Sequence, residues 1–77
     1  MDLLVIGSRL VFLRKEKEIS QVKLSELTEF DRTYLSRVEH GKQNVTITTL
    51  CFICDCLGIT LKEFFIFRQG GNYYGRK

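Results

Sequence analysis

The sequence contains no proline and no tryptophan, and His40 is the single histidine among its 77 residues. Because no proline interrupts the chain, helix boundaries must be inferred from capping residues and glycines. No apolar run approaches the roughly 18 residues that cross a membrane, and the sequence shows neither repeats nor low-complexity segments. An acid, Asp2, stands where a secretion signal has a base. These features predict an intracellular protein without a membrane partner.

Cysteine is scarce and odd in number, with Cys51, Cys54 and Cys56 close together. A secreted disulfide framework has an even count, and a zinc site with this spacing needs a fourth ligand and usually a second pair. We therefore interpret the three as small apolar residues buried on a helix. Without a metal-ligand set, a phosphate-binding glycine loop or a nucleophile–base pattern, the sequence predicts no enzyme and no metal or cofactor.

The composition that remains is that of one small globular domain. Hydrophobic residues make up 44% of the chain and charged residues 27%, as in ordinary soluble proteins. The net charge of +3, from 12 basic and 9 acidic residues, is mildly basic. Such a balance favours an anionic partner only weakly. The placement of the charges along the chain must show whether the protein has one.

Helical spacing and capping residues predict five helices and no strand. The apolar residues of the first helix recur at 3-4-3 spacing from Leu3 to Leu13. Later helices follow good N-cap residues, and Thr60 with Glu63 forms a capping box. The predicted helices span about residues 3–17, 21–28, 32–40, 47–57 and 61–67. The fold class is therefore all-α, with residues 1–68 as the domain and residues 69–77 as a tail. We interpret the tail as mobile; the alternative is a basic, aromatic arm that touches DNA.

The second and third helices are short and closely connected. Two helices of about eight residues joined by three or four residues match a helix-turn-helix, although a plain helical hairpin would give the same pattern. The inward-facing residues predicted for this pair are Leu24, Leu27, Leu35 and Val38.

The outer face of the third helix is polar, lacks carboxylates and carries positive charge. On a helical wheel Thr33, Ser36, Arg37 and His40 lie opposite Leu35, and Arg32 lies on the flank. Arginine can bind guanine O6 and N7 with two hydrogen bonds, while serine and threonine can bind several bases. The face thus suits a DNA major groove, although a solvated helix face would have a similar composition.

Candidate phosphate donors lie on both sides of this helix. Ser20 and Gln21 begin the second helix, where free N–H groups and the helix dipole favour an anion. Lys42, Gln43 and Asn44 follow the third helix, and Lys23 adds charge. Phosphate contacts that flank a base-contacting helix are the arrangement that protein–DNA interfaces use.

These residues form a familiar pattern. The string runs Arg14-Lys15-x4-Ser20-Gln21-x2-Leu24, then Asp31-Arg32-Thr33-Tyr34-Leu35-Ser36-x-Val38-Glu39-x-Gly41, then Thr49-Leu50 and Leu57-Gly58. Over about residues 6–67 it resembles the phage-repressor and Cro-like (Xre) helix-turn-helix family. Within that family, Asp-Arg-Thr-Tyr-Leu-Ser followed by Glu-x-Gly-Lys-x-Asn is most similar to controller proteins of restriction–modification systems.

The resemblance implies a five-helix, lambda-repressor-like DNA-binding domain of bacterial or phage origin. It implies a cytoplasmic homodimer that binds double-stranded operator DNA and regulates transcription, with RNA polymerase as a further candidate partner. Two alternatives remain: a phage-type repressor or antitoxin module, and a protein-interaction module that uses helices 4 and 5 instead of binding DNA.

The resemblance also assigns roles to individual residues. Base-contacting positions are matched by Arg32, Thr33, Ser36 and Arg37. The resemblance gives Gln21, Tyr34, Lys42, Gln43 and Asn44 as candidate contacts to the DNA backbone, and Lys23 and His40 are added from their positions on the helices. For Tyr34, packing in the core is the alternative, which the helical wheel favours. Gln43 stands where close relatives often carry a basic residue.

Three acidic residues and one arginine have predicted structural consequences. Arg14 and Glu39 match a structural pair of the family, and both lie beside apolar stripes, so we expect a salt bridge between helices 1 and 3. Glu18 and Glu29 stand where the family has small residues. If either adopts a positive φ, it carries a strain of about 1 kcal/mol.

The fourth helix is apolar almost all round, and the fifth adds further apolar residues. A helix that is apolar all round is buried all round, and one small domain can cover only one face. This pattern favours a two-fold dimer that sets two recognition helices about 34 Å apart. The alternative is a single core covered by the tail. The candidate interface residues are Phe52, Phe64, Phe65 and Phe67.

Overall fold

A computed structural model describes residues 2–66 as a bundle of five helices, with no strand in that range. In chain order these are α1 (Leu3–Glu16), α2 (Gln21–Thr28), α3 (Arg32–Glu39), α4 (Ile47–Leu57) and α5 (Leu61–Phe64). The all-α prediction is confirmed, and the first four helices agree with it to within one residue. The last helix ends three residues before the predicted boundary. Phe67 and the predicted tail lie outside the described residues, as does the predicted domain boundary at residue 68.

Each helix begins where a side-chain oxygen accepts a hydrogen bond from a backbone N–H of the first turn. The residues that cap the helices in this way are Asp2, Ser20, Asp31, Thr46 and Thr60. At α5 the predicted capping box is complete, because the Glu63 carboxylate also accepts from the Thr60 N–H at 2.8 Å. Local sequence signals thus place the helices before any packing is considered.

The core forms where the inner faces of the helices meet. Its fully or largely buried apolar residues are Leu10, Leu13, Leu24, Leu35, Val38, Leu50, Ile53, Cys54, Leu57 and Phe64. No helix among residues 2–66 is long and apolar enough to span a membrane.

Leu27 corrects one of the predicted inward positions, because it is 40% exposed. The buried partner of Leu24 on α2 is Thr28, one full turn later. The Thr28 hydroxyl donates to the Leu24 carbonyl at 2.8 Å and accepts from the Phe30 N–H at 3.1 Å. These two local bonds satisfy the hydroxyl, so a polar residue takes the core position next to the turn.

Phe64 corrects one of the predicted dimer contacts. Its side chain is fully buried within its own chain, so its assignment to an interface is wrong. The physical reason is that α5 is a single turn, and its one wholly buried side chain anchors it to the core. Phe65 is half-buried and packs edge-on against Phe64, with ring centroids 5.2 Å apart.

A glycine that the sequence analysis did not single out sets the distance between α1 and α3. A Cβ placed on Gly7 would clash with the carbonyl oxygens of Val38 and Glu39. Any side chain there would push the two backbones apart. At the end of α3, Gly41 has φ +71° and also leaves no room for a Cβ against the backbone of Leu4. The first half of α1 is thus in backbone contact with the end of α3.

The ion pair expected between Arg14 and Glu39 is present and bidentate. Arg14 Nε lies 2.8 Å from Glu39 Oε2, and Arg14 Nη2 lies 3.1 Å from Oε1. The two side chains are only 10% and 4% exposed. Arg14 Nη1 donates to the Ile19 carbonyl at 3.1 Å, and Gln21 Nε2 donates to Glu39 Oε1 at 3.0 Å. The pair therefore joins α1, the start of α2 and the end of α3.

Two glutamates hold left-handed backbone conformations in the connections on either side of α2. Glu18 has φ 58° and Glu29 has φ 63°, so both meet the condition for strain. Glu29 is the C-cap of α2, and its N–H donates to the Ser25 carbonyl at 2.8 Å. Three residues, 29–31, separate α2 from α3, which is the connection typical of a helix-turn-helix.

Cys54 is fully buried, whereas Cys51 and Cys56 are partly buried. The interpretation as buried apolar residues therefore holds fully only for Cys54. Burial, followed by the charges of Cys51 and Asp55, raises the pKa of the Cys54 thiol from 9.0 to about 11. The thiol stays neutral and unreactive at physiological pH.

We predict that replacing Glu39 with glutamine lowers the free energy of unfolding by about 3 kcal/mol or more, because it leaves the Arg14 charge buried without a counter-charge. Urea unfolding followed by circular dichroism measures the change. The double replacement of Arg14 and Glu39 by methionine is the control and should cost less than Glu39→Gln. A loss below about 1 kcal/mol in the single variant would contradict the structural role of the pair.

We predict that Glu29→Gly stabilises the protein by up to about 1 kcal/mol, since glycine adopts a positive φ without strain. The matched control is Glu26→Gly, an exposed position inside α2, which should lose about 1 kcal/mol. Thermal unfolding of both variants beside the unsubstituted protein gives the two signs. Equal destabilisation by both substitutions would show that Glu29 carries no strain.

We predict that stability falls as the pH rises from about 9 towards 11. The thiol of Cys54 ionises less readily in the folded chain than in the unfolded chain, so its contribution is complete below pH 9 and is lost above it. Urea unfolding at several alkaline pH values measures the slope. In Cys54→Val this slope should be shallower, and an unchanged slope would assign it to other groups.

Candidate nucleic-acid interface

The outer face of α3 is accessible because the opposite face, with Leu35, Val38 and Glu39, is buried. Arg32, Thr33, Arg37 and His40 are exposed, and Ser36 is half-buried. A shallow groove lies along this face and is lined by Gln21, Arg32, Thr33, Ser36 and Arg37. The structure thus brings the four predicted base-contacting residues together with the start of α2. No carboxylate lines this groove in the described part of the chain.

Arg37 is held against the loop that follows α3. Its Nε donates to Gln43 Oε1 at 3.2 Å, and its Nη2 donates to the Lys42 carbonyl at 3.0 Å. Gln43 is half-buried. Lys42 and Asn44, which are also predicted to contact DNA, are exposed. The side-chain oxygen of Gln43 therefore binds an arginine of its own chain.

The loop leaves α3 in a defined direction. The Gly41 N–H donates to the Val38 carbonyl at 3.1 Å, and the Lys42 N–H donates to the Arg37 carbonyl at 2.8 Å. This is the Schellman arrangement, in which a left-handed residue, here Gly41, closes the helix. The exposed side chains of Lys42 and Asn44 thereby follow directly on the polar face of α3.

His40 folds back over the last turn of α3. Its Nδ1 lies 2.7 Å from the Ser36 carbonyl oxygen and 3.5 Å from the Ser36 hydroxyl. A proton on Nδ1 would bind the carbonyl and leave Nε2 for an outside partner. The ring and the Ser36 hydroxyl thus lie side by side at the edge of the groove.

The start of α2 is only partly available to a phosphate. Gln21, the first residue of this helix, uses one amide hydrogen for the bond to Glu39, so its side chain is tied to the buried ion pair. Lys23 is exposed, and its Nζ lies 3.9 Å from Glu26 Oε1. An exposed pair at this distance is weak and leaves the charge of Lys23 usable.

Tyr34 lies in a row of three aromatic rings that connects α3 to α4. Its ring is 5.3 Å from that of Phe30, which in turn is 5.7 Å from that of Phe52 on α4. Tyr34 packs against the core, in agreement with the alternative that the helical wheel favoured. Phe52 itself is 43% exposed, so this predicted interface residue remains accessible.

The described residues contain no cluster of three or more histidine, cysteine or acidic side chains that could hold a metal ion. The groove itself presents hydrogen-bonding groups and positive charge. Such a surface can bind a polyanion that also presents hydrogen-bonding groups.

Comparison with known proteins places this arrangement in a family. A helix-turn-helix family model matches residues 12–64. The chain is 47% identical over 60 residues to control protein C.MunI of a Mycoplasma species, which covers 77% of this chain and 81% of the relative. The crystal structure of the restriction-modification controller protein C.AhdI from Aeromonas hydrophila matches with a TM-score of 0.78 and 38% identity, over 83% of this chain and 97% of that one.

A third match shows a relative in its bound form. The controller protein C.Esp1396I, a tetramer in complex with its natural 35-base-pair operator, matches with a TM-score of 0.76 and 32% identity. The match covers 82% of this chain and 83% of that one. With the fold, the groove and these relatives in agreement, the chain belongs to the helix-turn-helix family and, within it, to the controller proteins of restriction–modification systems.

Proposed function

We propose that this protein is a sequence-specific DNA-binding regulator of transcription that acts as a homodimer on a pseudo-palindromic operator. The observation that carries the proposal is the carboxylate-free groove along α3, lined by Gln21, Arg32, Thr33, Ser36 and Arg37. An α-helix fits the major groove, where these side-chain types can distinguish base pairs.

In this proposal the side chains divide into two groups. Arg32, Thr33, Ser36 and Arg37 contact base edges. Lys42, Asn44, Lys23 and His40 contact phosphates on either side. At α2 the backbone N–H groups beside Gln21 are the better phosphate donors, because the side-chain amide is bound to Glu39.

The homodimer rests on the apolar surface of α4. Ile47 is 60% exposed and Phe52 is 43% exposed, while the half-buried Phe65 ends α5. A second copy would cover these side chains and repeat α3 at a distance of about 34 Å, one turn of DNA. The operator-bound tetramer of C.Esp1396I shows that a relative of this chain assembles on DNA.

As a controller protein, the chain would act in the cytoplasm on the promoter of its own gene. Contact with RNA polymerase is the further step that we propose for activation, and occlusion of the promoter is the corresponding step for repression. Neither step requires a catalytic group.

We predict a discrete complex with the roughly 100 base pairs upstream of the gene, resistant to unrelated competitor DNA, in a gel-shift titration. About four phosphate contacts per subunit, or eight per dimer, give a slope near −7 for log affinity against log salt. Binding at several salt concentrations measures the slope. Smeared, strongly salt-sensitive binding would place the target sequence elsewhere. No binding at low salt would overturn the regulator and favour a protein-interaction module.

We predict different effects from the two groups of side chains. Arg32→Ala should cost about 1–3 kcal/mol on the preferred site and little on unrelated DNA, because it removes a base contact. Lys42→Ala should weaken binding to all sequences alike and reduce the magnitude of the salt slope by about 1 per subunit contact. Fluorescence anisotropy on specific and scrambled duplexes distinguishes them. Equal losses of Arg32→Ala on both duplexes would contradict a base-contacting role.

A further inference from the structure

Two arginines of this chain are held by hydrogen-bond acceptors that differ in charge. Arg14 is buried and binds the Glu39 carboxylate, which neutralises its charge. Arg37 is exposed and binds the amide oxygen of Gln43 and the backbone oxygen of Lys42. Both acceptors of Arg37 are neutral, so its orientation is set while its positive charge stays available to an anion.

The geometry also leaves one edge of the Arg37 guanidinium open. Arginine has five N–H donors, and two of them, on Nε and Nη2, are used by the loop. One hydrogen of Nη1 and the second hydrogen of Nη2 point along the other edge. This edge has the two parallel donors that guanine O6 and N7 require.

Gln43, whose side-chain oxygen orients Arg37, lies on a loop that is hydrogen-bonded to the end of α3. Gln43 is half-buried, and it follows the Schellman turn at Gly41 that ties the loop to α3. The Gln43 side chain therefore reaches back from the loop to Arg37 on α3. A guanidinium held in this way loses less freedom when it binds a base than one on a freely rotating side chain.

We propose that Gln43 is a specificity-determining positioning residue, which holds Arg37 for recognition of one base pair in each half-site. This assignment rests on the proposed function and replaces the expectation that Gln43 contacts the DNA backbone. The immobilisation of one long side chain corresponds to about a two- to tenfold effect on binding. The effect should fall on one base pair, since only one side chain is positioned.

The test compares base preferences selected from a library of randomised duplexes. The variants are Gln43→Met, which keeps the shape but lacks the acceptor, Arg37→Met, and the combination of both. Arg37→Met should abolish the preference at one position of the half-site. Gln43→Met should reduce the preference at that same position by about two- to tenfold and have no further effect once Arg37 is replaced. Thermal unfolding checks that each variant is folded.

Two further variants separate positioning from general contact. Asn44→Ala, which changes the neighbouring amide of the loop, should weaken binding to all duplexes alike and leave the base preferences as they are. Gln43→Glu keeps an acceptor for Arg37 but places a negative charge beside it, so the preferred base pair should stay the same while affinity for every duplex falls.

The outcomes distinguish this inference from the function beneath it. If the unsubstituted protein selects no preferred sequence, the proposed function fails and the role of Gln43 with it. If it selects a sequence, and Gln43→Met weakens all duplexes uniformly, Gln43 is a backbone contact and the inference alone is overturned. A shift in preference at a position other than that of Arg37 would also overturn it.

Discussion

The placement of α3 depends on the buried ion pair between Arg14 and Glu39. Two charges removed from water are costly unless their remaining donors and acceptors are also satisfied. Here the Ile19 carbonyl takes a further arginine hydrogen, and the Gln21 amide donates to the carboxylate. The pair therefore orients more than it stabilises. It fixes the last residue of α3 against α1 and against the first residue of α2, the two parts of the helix-turn-helix that must keep their relative position on DNA.

Close backbone packing supplies the second constraint on α3. Gly7 brings α1 against the carbonyls of Val38 and Glu39, and Gly41 allows the chain to turn away beside Leu4. The end of α3 is thereby held by α1 without any residue of its outer face. The side chains of Arg32 and Thr33 are exposed and make no hydrogen bond within residues 2–66, and this freedom is what a surface needs if its residues are to vary with the DNA sequence that it binds.

The sequence predicted what depends on local signals and failed where tertiary geometry decides. N-caps and glycines placed four helices to within a residue. The family resemblance, supported by the apolar stripes beside Arg14 and Glu39, led to their pairing. Periodicity could not decide between Leu27 and Thr28 at the edge of the buried face, because both lie within a turn of Leu24. Periodicity also could not show that Phe64 would be buried in the core of its own chain. The close approach at Gly7 and the bond between Gln43 and Arg37 join separate segments, so no local pattern contained them.

The length of α3 gives a reason for the proposed homodimer. Eight residues rise about 12 Å, which corresponds to three or four base pairs at about 3.4 Å each. Four fully specified base pairs recur about once in 256 positions, whereas a genome offers on the order of 10⁶ or more competing sites. Two half-sites raise the specified length to about eight base pairs, or one position in roughly 65,000, and each additional discriminating contact then counts twice. In such a dimer, the positioning role proposed for Gln43 would act at both half-sites, so a modest local effect would be squared in the selectivity of the whole complex.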